Sequence, residues 1–229
     1  MQRLSSFLVA HRGDRRGGVE NTIAGFAAAA AAGARFAECD IQFSRDLVPL
    51  VIHDHHLQRL CGLPIRVPDT SADELKLICR PYFQLSSLQG LLLWLRGTPD
   101  ITLFIEIKPP VRRRLRDASI ARRITEILPA DLLSRLVIIS QSARLVDACA
   151  ARIECPVGWV AEGGDVPQGP IQYVFMPWQR AHEMGHWQAQ GIKVGLYTVN
   201  DADTAMALRS KGADLVECNE FSRMEQAHV

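Results

Sequence analysis

Short apolar runs broken by single polar residues recur along the whole chain, and most are followed by a stretch with helical spacing. Residues 7–10 form the first such run and end at His11. The segment 22–32 then reads as a helix, with Thr22 in the cap region, alanines supplying propensity and Gly33 just past its end. Residues 36–43 alternate as a strand does, which puts Glu38 and Asp40 on one face with Phe36, opposite Ala37, Cys39 and Ile41. The next run, 48–53, follows too closely for a parallel crossover, which needs about a dozen residues or more. A hairpin through Arg45-Asp46-Leu47 fits the spacing and brings His53 back beside Cys39 and Asp40.

Residues 55–85 hold Gly62, Pro64, Pro68 and Pro81 and read as a small excursion with one short helix at 72–77. Leu57, Leu60, Leu63 and Ile65 within it suit a small core of its own better than an apolar substrate mouth. Beyond it the pattern predicts helices at 85–96, 120–128, 143–153, around 180–190 and at 202–211. Strands are predicted at 101–109, 136–140, 156–160, 171–175, 193–199 and 214–217. Without the hairpin strand, eight strands alternate with helices. That is the pattern of a (β/α)8 TIM barrel, with a small insertion after the second barrel strand and its hairpin. The length of 229 residues suits one barrel domain spanning 1–229.

Composition removes several alternatives. With 48% hydrophobic and 22% charged residues and a net charge of +1, the chain is ordinary globular protein, with no electrostatic case for nucleic acid. The basic run Arg112-Arg113-Arg114, with Arg116, lacks interleaved aromatics and reads as a solvated loop or helix start. No apolar stretch is long enough for a membrane span, and no targeting segment precedes the first strand, so no stable membrane insertion is expected. Six scattered cysteines without C-x-x-C spacing suit a reducing cytoplasm, where they serve as small buried hydrophobes.

The chemistry gathers at strand ends. In a barrel of this kind the site lies at the C-terminal ends of the strands, where His11, Arg12, Glu38, Asp40, Glu106 and Lys108 all fall. Two carboxylates side by side on a buried strand raise each other's pKa unless a cation lies between them. Oxygen donors from Glu38, Asp40 and Glu106 favour a hard divalent cation, Mg²⁺ or Ca²⁺ with Mn²⁺ also suited, over zinc. Arg12 and Lys108 beside that cation suit a phosphate, although both could instead be buried ion-pair partners of the same carboxylates. His11 and His53 titrate near neutrality and can serve as general base and acid. The implied reaction is metal-assisted cleavage of a phosphodiester, a small-molecule substrate. His55 and His56 read as solvated loop residues.

These residues carry a resemblance. His11-Arg12-Gly13, Glu20-Asn21-Thr22, Glu38-x-Asp40, Pro49…His53-Asp54, Ile105-Glu106-Ile107-Lys108 and Tyr197-Thr198-Val199-Asn200 resemble, in order, the motifs of the glycerophosphodiester phosphodiesterase family. The resemblance implies a barrel, a divalent cation held by Glu38, Asp40 and Glu106, and hydrolysis of glycerophosphodiesters to sn-glycerol 3-phosphate and an alcohol. It further implies that His11 and His53 exchange base and acid roles, and that Arg12, Lys108 and Tyr197 bind substrate. In the scheme proposed for the family, the glycerol 2-hydroxyl attacks first and water then opens a cyclic phosphate. Three departures stand out: Val19 where the family usually has Pro, Tyr197 where it has Trp, and Glu217-Cys218-Asn219 where it more often has Thr-Asp or Thr-Asn.

Two competing readings remain at this stage. His182-Glu183-Met184-Gly185-His186 has zinc-protease spacing, with Glu217 or Glu220 available as a third ligand. A non-catalytic barrel that only binds a phosphoester is the other.

Overall fold

The computed structural model describes residues 3–109, 111 and 114–227. Eight of the apolar runs become parallel strands. They are β1 (Leu8–His11), β2 (Phe36–Phe43), β4 (Thr102–Ile107), β5 (Leu136–Ser140), β6 (Val157–Val160), β7 (Tyr173–Pro177), β8 (Lys193–Tyr197) and β9 (Leu215–Cys218). β1 pairs with both β2 and β9, which closes the sheet into a TIM barrel. The ninth strand, β3 (Pro49–Val51), runs antiparallel to β2 with Ile41 opposite Val51. This is the hairpin the spacing required, and the Ile52 N–H reaches the Asp40 carbonyl at 3.0 Å.

The period of two on β2 sorts its side chains as expected. Ala37, Cys39 and Ile41 join the large apolar layer between strands and outer helices, while Glu38 and Asp40 face inward. Below them the barrel is filled by Val9, Phe104, Val137, Ile139, Val160, Phe175 and Leu215. Phe104 packs edge-on against Phe175 with centroids 5.0 Å apart, so this layer is a floor under the carboxylates. Register sets the height of each group: His11 lies level with Glu38, and Asp40 with Glu106.

Helices cover the outside. The first, α1 (Ile23–Ala31), starts where the Thr22 hydroxyl accepts the Gly25 N–H, as its sequence implies. The helix expected at 85–96 begins later, at Leu88, and runs to Arg96 (α4), because Ser87 caps it while Ser86 and Ser87 bond the hairpin edge instead. The helix expected at 120–128 begins about one turn early, at Asp117, and ends at Ile127 (α5). Around 180–190 a single helix was expected. A 3₁₀ turn at Trp178–Glu183, with Arg180 off helical geometry, precedes the short α7 (Met184–Gln188). α6 (Ala143–Ala150), α8 (Ala202–Ser210) and α9 (Phe221–Ala227) complete the ring.

The excursion after the hairpin holds two helices rather than one, α2 (Gln58–Cys61) and α3 (Ala72–Cys79), with a 3₁₀ turn at Val67–Asp69 between them. Its apolar residues form their own cluster. Leu57, Cys61, Val67, Leu75, Cys79 and Phe83 bury against Leu50 and Ile52, and Leu60, Leu63 and Ile65 pack on its edge. Leu75 is fully buried there. Leu75→Ala is expected to cost about 2–5 kcal/mol in chemical denaturation, as for other large-to-small core changes.

Of the basic run, Arg112 and Arg113 lie outside the described residues. The Arg114 guanidinium donates to the carbonyls of Ser44 (3.1 Å), Arg45 (2.9 Å) and Pro68 (2.9 Å), tying the hairpin tip to the insertion. Arg114 is thus a structural clamp. Among the described residues no helix is long and apolar enough to cross a membrane.

Candidate active site

At the C-terminal mouth of the barrel, oxygens of Glu38, Asp40 and Glu106 lie within 4.8 Å of one another, all three residues buried. Their environments separate their charges. Burial alone would push Asp40 up, but Lys108 and Arg12 override it and hold its carboxyl well below the usual carboxylate range. Glu38 is raised well above that range by burial and then by Asp40, Glu217 and Glu106. Glu106 is pushed up to about 7 by burial and Asp40, against the pull of Lys108.

Two cations stand among these acids, as the sequence allowed. Lys108 Nζ lies 2.8 Å from both Asp40 Oδ1 and Glu106 Oε1. Arg12 Nε lies 3.0 Å from Asp40 Oδ2, and its Nη1 donates to Glu20 Oε1 at 3.1 Å. Arg12 follows β1 at φ +61° and Gly13 at +83°, a left-handed reversal that turns the arginine back over the mouth. A Cβ at Gly13 would lie 2.8 Å from the Gly25 backbone, so this reversal also needs glycine's small size. Asn21, likewise at positive φ, accepts the Asp40 N–H and donates to Asp40 Oδ2 at 2.9 Å.

One oxygen is left over. Among the described residues Glu38 Oε1 is buried with no hydrogen-bond partner and no ion pair, whereas Glu38 Oε2 accepts the Arg12 N–H at 3.2 Å. A buried unpaired carboxylate oxygen costs free energy unless a ligand meets it. Three converging carboxylates, all oxygen donors and one unsatisfied, fit a hard divalent cation.

Both histidines reach this centre with one ring nitrogen occupied. His11 Nδ1 is 2.9 Å from Asn219 Oδ1, an acceptor, so Nδ1 carries the proton and Nε2 is bare. That Nε2 lies 3.8 Å from Glu38 Oε2 and 4.0 Å from Glu217 Oε2. Burial, then Arg12, lowers His11 to about 4, and it is therefore neutral at pH 7. His53 Nδ1 is 2.7 Å from Asp54 Oδ1, and Gln42 Nε2 donates to the His53 carbonyl at 2.7 Å. Asp54 is held ionised, despite its burial, by hydrogen bonds from Arg59 and His53.

Three members of this centre have no role in it on the sequence alone, which offers Glu217 only as a zinc ligand and Asn219 only as part of a motif. Arg59 on α2 donates to Asp54 Oδ2 (2.7 Å) and to both oxygens of Glu20 (2.6 and 3.1 Å). It thus links the support of His53 to the support of Arg12. Asn219 fixes the His11 tautomer. Glu217, raised to about 8 by burial, then Glu106 and Asp40, faces the cavity as a fourth carboxylate. The strand-end rule that singled out Glu38 would have found Glu217 as well; Arg59 carries no such signal. Arg59→Ala is expected to lower kcat about 10–100-fold with little change in Tm, in steady-state assays and melts, as for other residues that orient a catalytic side chain.

The zinc-protease reading fails on geometry. Glu183 is held by Arg180 through both carboxylate oxygens, at 2.7 and 2.6 Å, and His182 is mostly exposed. Glu217 lies inside the barrel and Glu220 pairs with Arg223. Among the described residues, no group of three ligand-type side chains includes His182 or His186. His55 is exposed, as expected, while His56 is half-buried against it with ring centroids 4.7 Å apart.

All the residues named in the sequence as candidates for phosphodiester cleavage reach one mouth. A cavity of about 140 Å³ is lined by His11, Arg12, His53, Glu106, Lys108 and Tyr197, among others, above Glu38 and Asp40. The arrangement can bind a cation, hold an anion beside it and move protons on either side.

The model of the glycerophosphoryl diester phosphodiesterase family matches residues 11–124. A glycerophosphodiester phosphodiesterase of Caldanaerobacter subterraneus subsp. tengcongensis is 37% identical over 73 residues, which is 32% of this chain and 30% of that protein's length. Among solved structures, a glycerophosphodiester phosphodiesterase from Parabacteroides distasonis superposes with a TM-score of 0.84 at 19% identity, covering 99% of this chain and 98% of that one. An Oleispira antarctica phosphodiesterase, solved with its product sn-glycerol-3-phosphate, gives a TM-score of 0.81 at 21% identity, covering 97% and 96%. At such identities these likenesses speak for the fold.

Proposed function

Since the chain belongs to the glycerophosphoryl diester phosphodiesterase family, we propose that it hydrolyses glycerophosphodiesters to sn-glycerol 3-phosphate and an alcohol. The observation that carries this reading is the unpartnered Glu38 Oε1 in a buried carboxylate trio, flanked by two imidazoles whose Nδ1 atoms are both engaged. We read residues 1–229 as one domain working in the cytoplasm, in keeping with six buried free cysteines.

Glu38, Asp40 and Glu106 would hold a divalent cation, Mg²⁺ or Ca²⁺ in the first instance. Bound there, such an ion would supply Lewis-acid polarisation of the phosphoryl oxygens and offset charge in the transition state. Arg12 and Lys108, beside those carboxylates, hold the phosphate in place. His11, neutral and bare at Nε2, takes the proton from the glycerol 2-hydroxyl as it attacks phosphorus. His53, whose Nδ1–H is held by ionised Asp54, gives a proton from Nε2 to the departing alcohol; burial lowers its pKa, and Asp40 and then Asp54 pull the other way. The two exchange roles when water opens the cyclic phosphate. Tyr197 walls the substrate.

The test is release of sn-glycerol 3-phosphate from glycerophosphocholine and glycerophosphoethanolamine, with Mg²⁺, Ca²⁺, Mn²⁺ or EDTA. Release with a cation and none in EDTA is expected. No release with any cation would leave a barrel that only binds phosphoesters.

A further inference from the structure

The cavity is electrically two-sided. Its basic side chains, the cations Arg12 and Lys108 with the imidazoles of His11 and His53, come from the ends of β1, the hairpin and β4. The half contributed by β5 to β9 contains no lysine, arginine or histidine. It has instead the Glu162 carboxylate, the Glu217 carboxyl, which burial keeps largely protonated, and two aromatic rings, Phe175 and Tyr197. In the closed order of strands β6 lies four places from β1, so Glu162, two residues past β6, stands across the mouth from Arg12.

Tyr197 ties this wall together. Its hydroxyl donates to Glu162 Oε1 at 3.2 Å, and burial followed by Glu162 and Glu217 pushes the phenol up, so it stays protonated and keeps donating. Arg180, the cation on the neighbouring 3₁₀ turn, does not neutralise the wall. Its guanidinium is taken by both oxygens of Glu183 and by the Ala161 carbonyl. Beneath, Phe175 is fixed edge-on by Phe104 and is almost wholly buried, so its ring cannot swing away.

A phosphate drawn to the Arg12–Lys108 side leaves the rest of a phosphodiester to lie against this acidic, aromatic half. Aromatic faces with flanking carboxylates attract alkylammonium groups, through the ring quadrupole and by charge. An anionic alcohol meets repulsion from Glu162, and a neutral one gains no charge contact. We propose that Glu162 and Tyr197, above the Phe175 floor and beside Glu217, form a cation subsite that selects glycerophosphodiesters whose alcohol is a small ammonium alcohol, such as choline or ethanolamine. The proposal rests on the phosphodiesterase reading above and adds to it the head group.

Glycerophosphoglycerol, with a neutral alcohol of similar size, is the reference substrate. The wild type is expected to show kcat/KM about tenfold higher for glycerophosphocholine than for glycerophosphoglycerol, the span a desolvated cation–π and charge contact supplies. In Glu162→Gln and in Tyr197→Leu that ratio is expected to fall about fivefold or more, and inhibition by tetramethylammonium ion to weaken in parallel. Melting curves check that both variants fold. A wild-type ratio near one, or equal losses on both esters in the two variants, overturns the subsite while leaving the phosphodiesterase intact. Hydrolysis of neither ester with any cation overturns the phosphodiesterase reading, and this proposal with it.

Discussion

Glu38→Gln is expected to lower kcat by about a thousandfold, the loss of roughly 4 kcal/mol of transition-state stabilisation. In EDTA the same variant is expected to melt no lower than the wild type. The two outcomes follow from one feature. Glu38 is buried and one of its oxygens has no partner, so its charge is costly until a cation meets it. The amide keeps the shape and leaves an oxygen able to accept the Arg12 N–H. A stabilising role in the metal-free fold would be lost on substitution; a ligand's role would not.

The same feature sets a pH dependence for the metal-free wild type. Glu106 and Glu217 have folded values of about 7 and 8, above their ordinary 4.5. A raised carboxylate binds its proton more tightly in the fold, so its contribution is present below pH 4.5 and is lost as pH rises toward 8. His11 acts oppositely: lowered to about 4 from 6.5, it contributes above pH 6.5 and that contribution is lost as pH falls toward 4. The melting temperature in EDTA is therefore expected to fall between about pH 6.5 and 8. The increment given by Mg²⁺ or Ca²⁺ is expected to grow over that range, because the cation binds the ionised carboxylates. In Glu38→Gln the increment should vanish at every pH. A thermal-shift series in buffers from pH 5 to 8.5 checks all three statements.

The barrel and the convergence of the three carboxylates were legible because each rests on a short-range rule. The period of two on 36–43 decides which of its residues face inward, and no tertiary contact reverses that. The close spacing from β2 to 48–53 forced a hairpin, and with it the place of His53. Element ends were less legible where backbone groups had a choice. Ser86 and Ser87 could begin a helix or extend the hairpin edge, and long-range pairing with Leu50 and Val51 decided it. Arg180 leaves helical geometry where its guanidinium reaches Glu183 and the Ala161 carbonyl, a contact that local pattern does not encode. What supports the histidines was hidden for a similar reason. Asn219 stands 208 residues from His11, and Arg59 stands 39 from Glu20, so only the closed fold brings each pair together.

His11→Ala is expected to abolish measurable turnover while leaving the cation-induced rise in melting temperature near its wild-type size. A base and a metal ligand differ in that second readout. His11 lies 3.8 Å from Glu38 through its bare Nε2, close enough to act beside the carboxylates and not one of the oxygen donors that converge. Its loss should therefore remove proton transfer, about 10²–10⁴-fold in rate, without removing a ligand. Asn219→Ala separates tautomer from presence. Without the Oδ1 acceptor the imidazole is free to place its proton on Nε2, toward Glu38 and Glu217, and that nitrogen no longer accepts one. This variant is expected to lose about 10–100-fold in kcat with KM little changed. Asn219→Asp supplies a carboxylate to the same Nδ1–H and is expected to recover most of that rate, with the acid limb of the pH–rate profile moved upward, since an anion there raises the imidazole's affinity for a proton. If His11→Ala lost the cation's thermal increment along with its activity, His11 would be a ligand, and the base would have to be sought in His53.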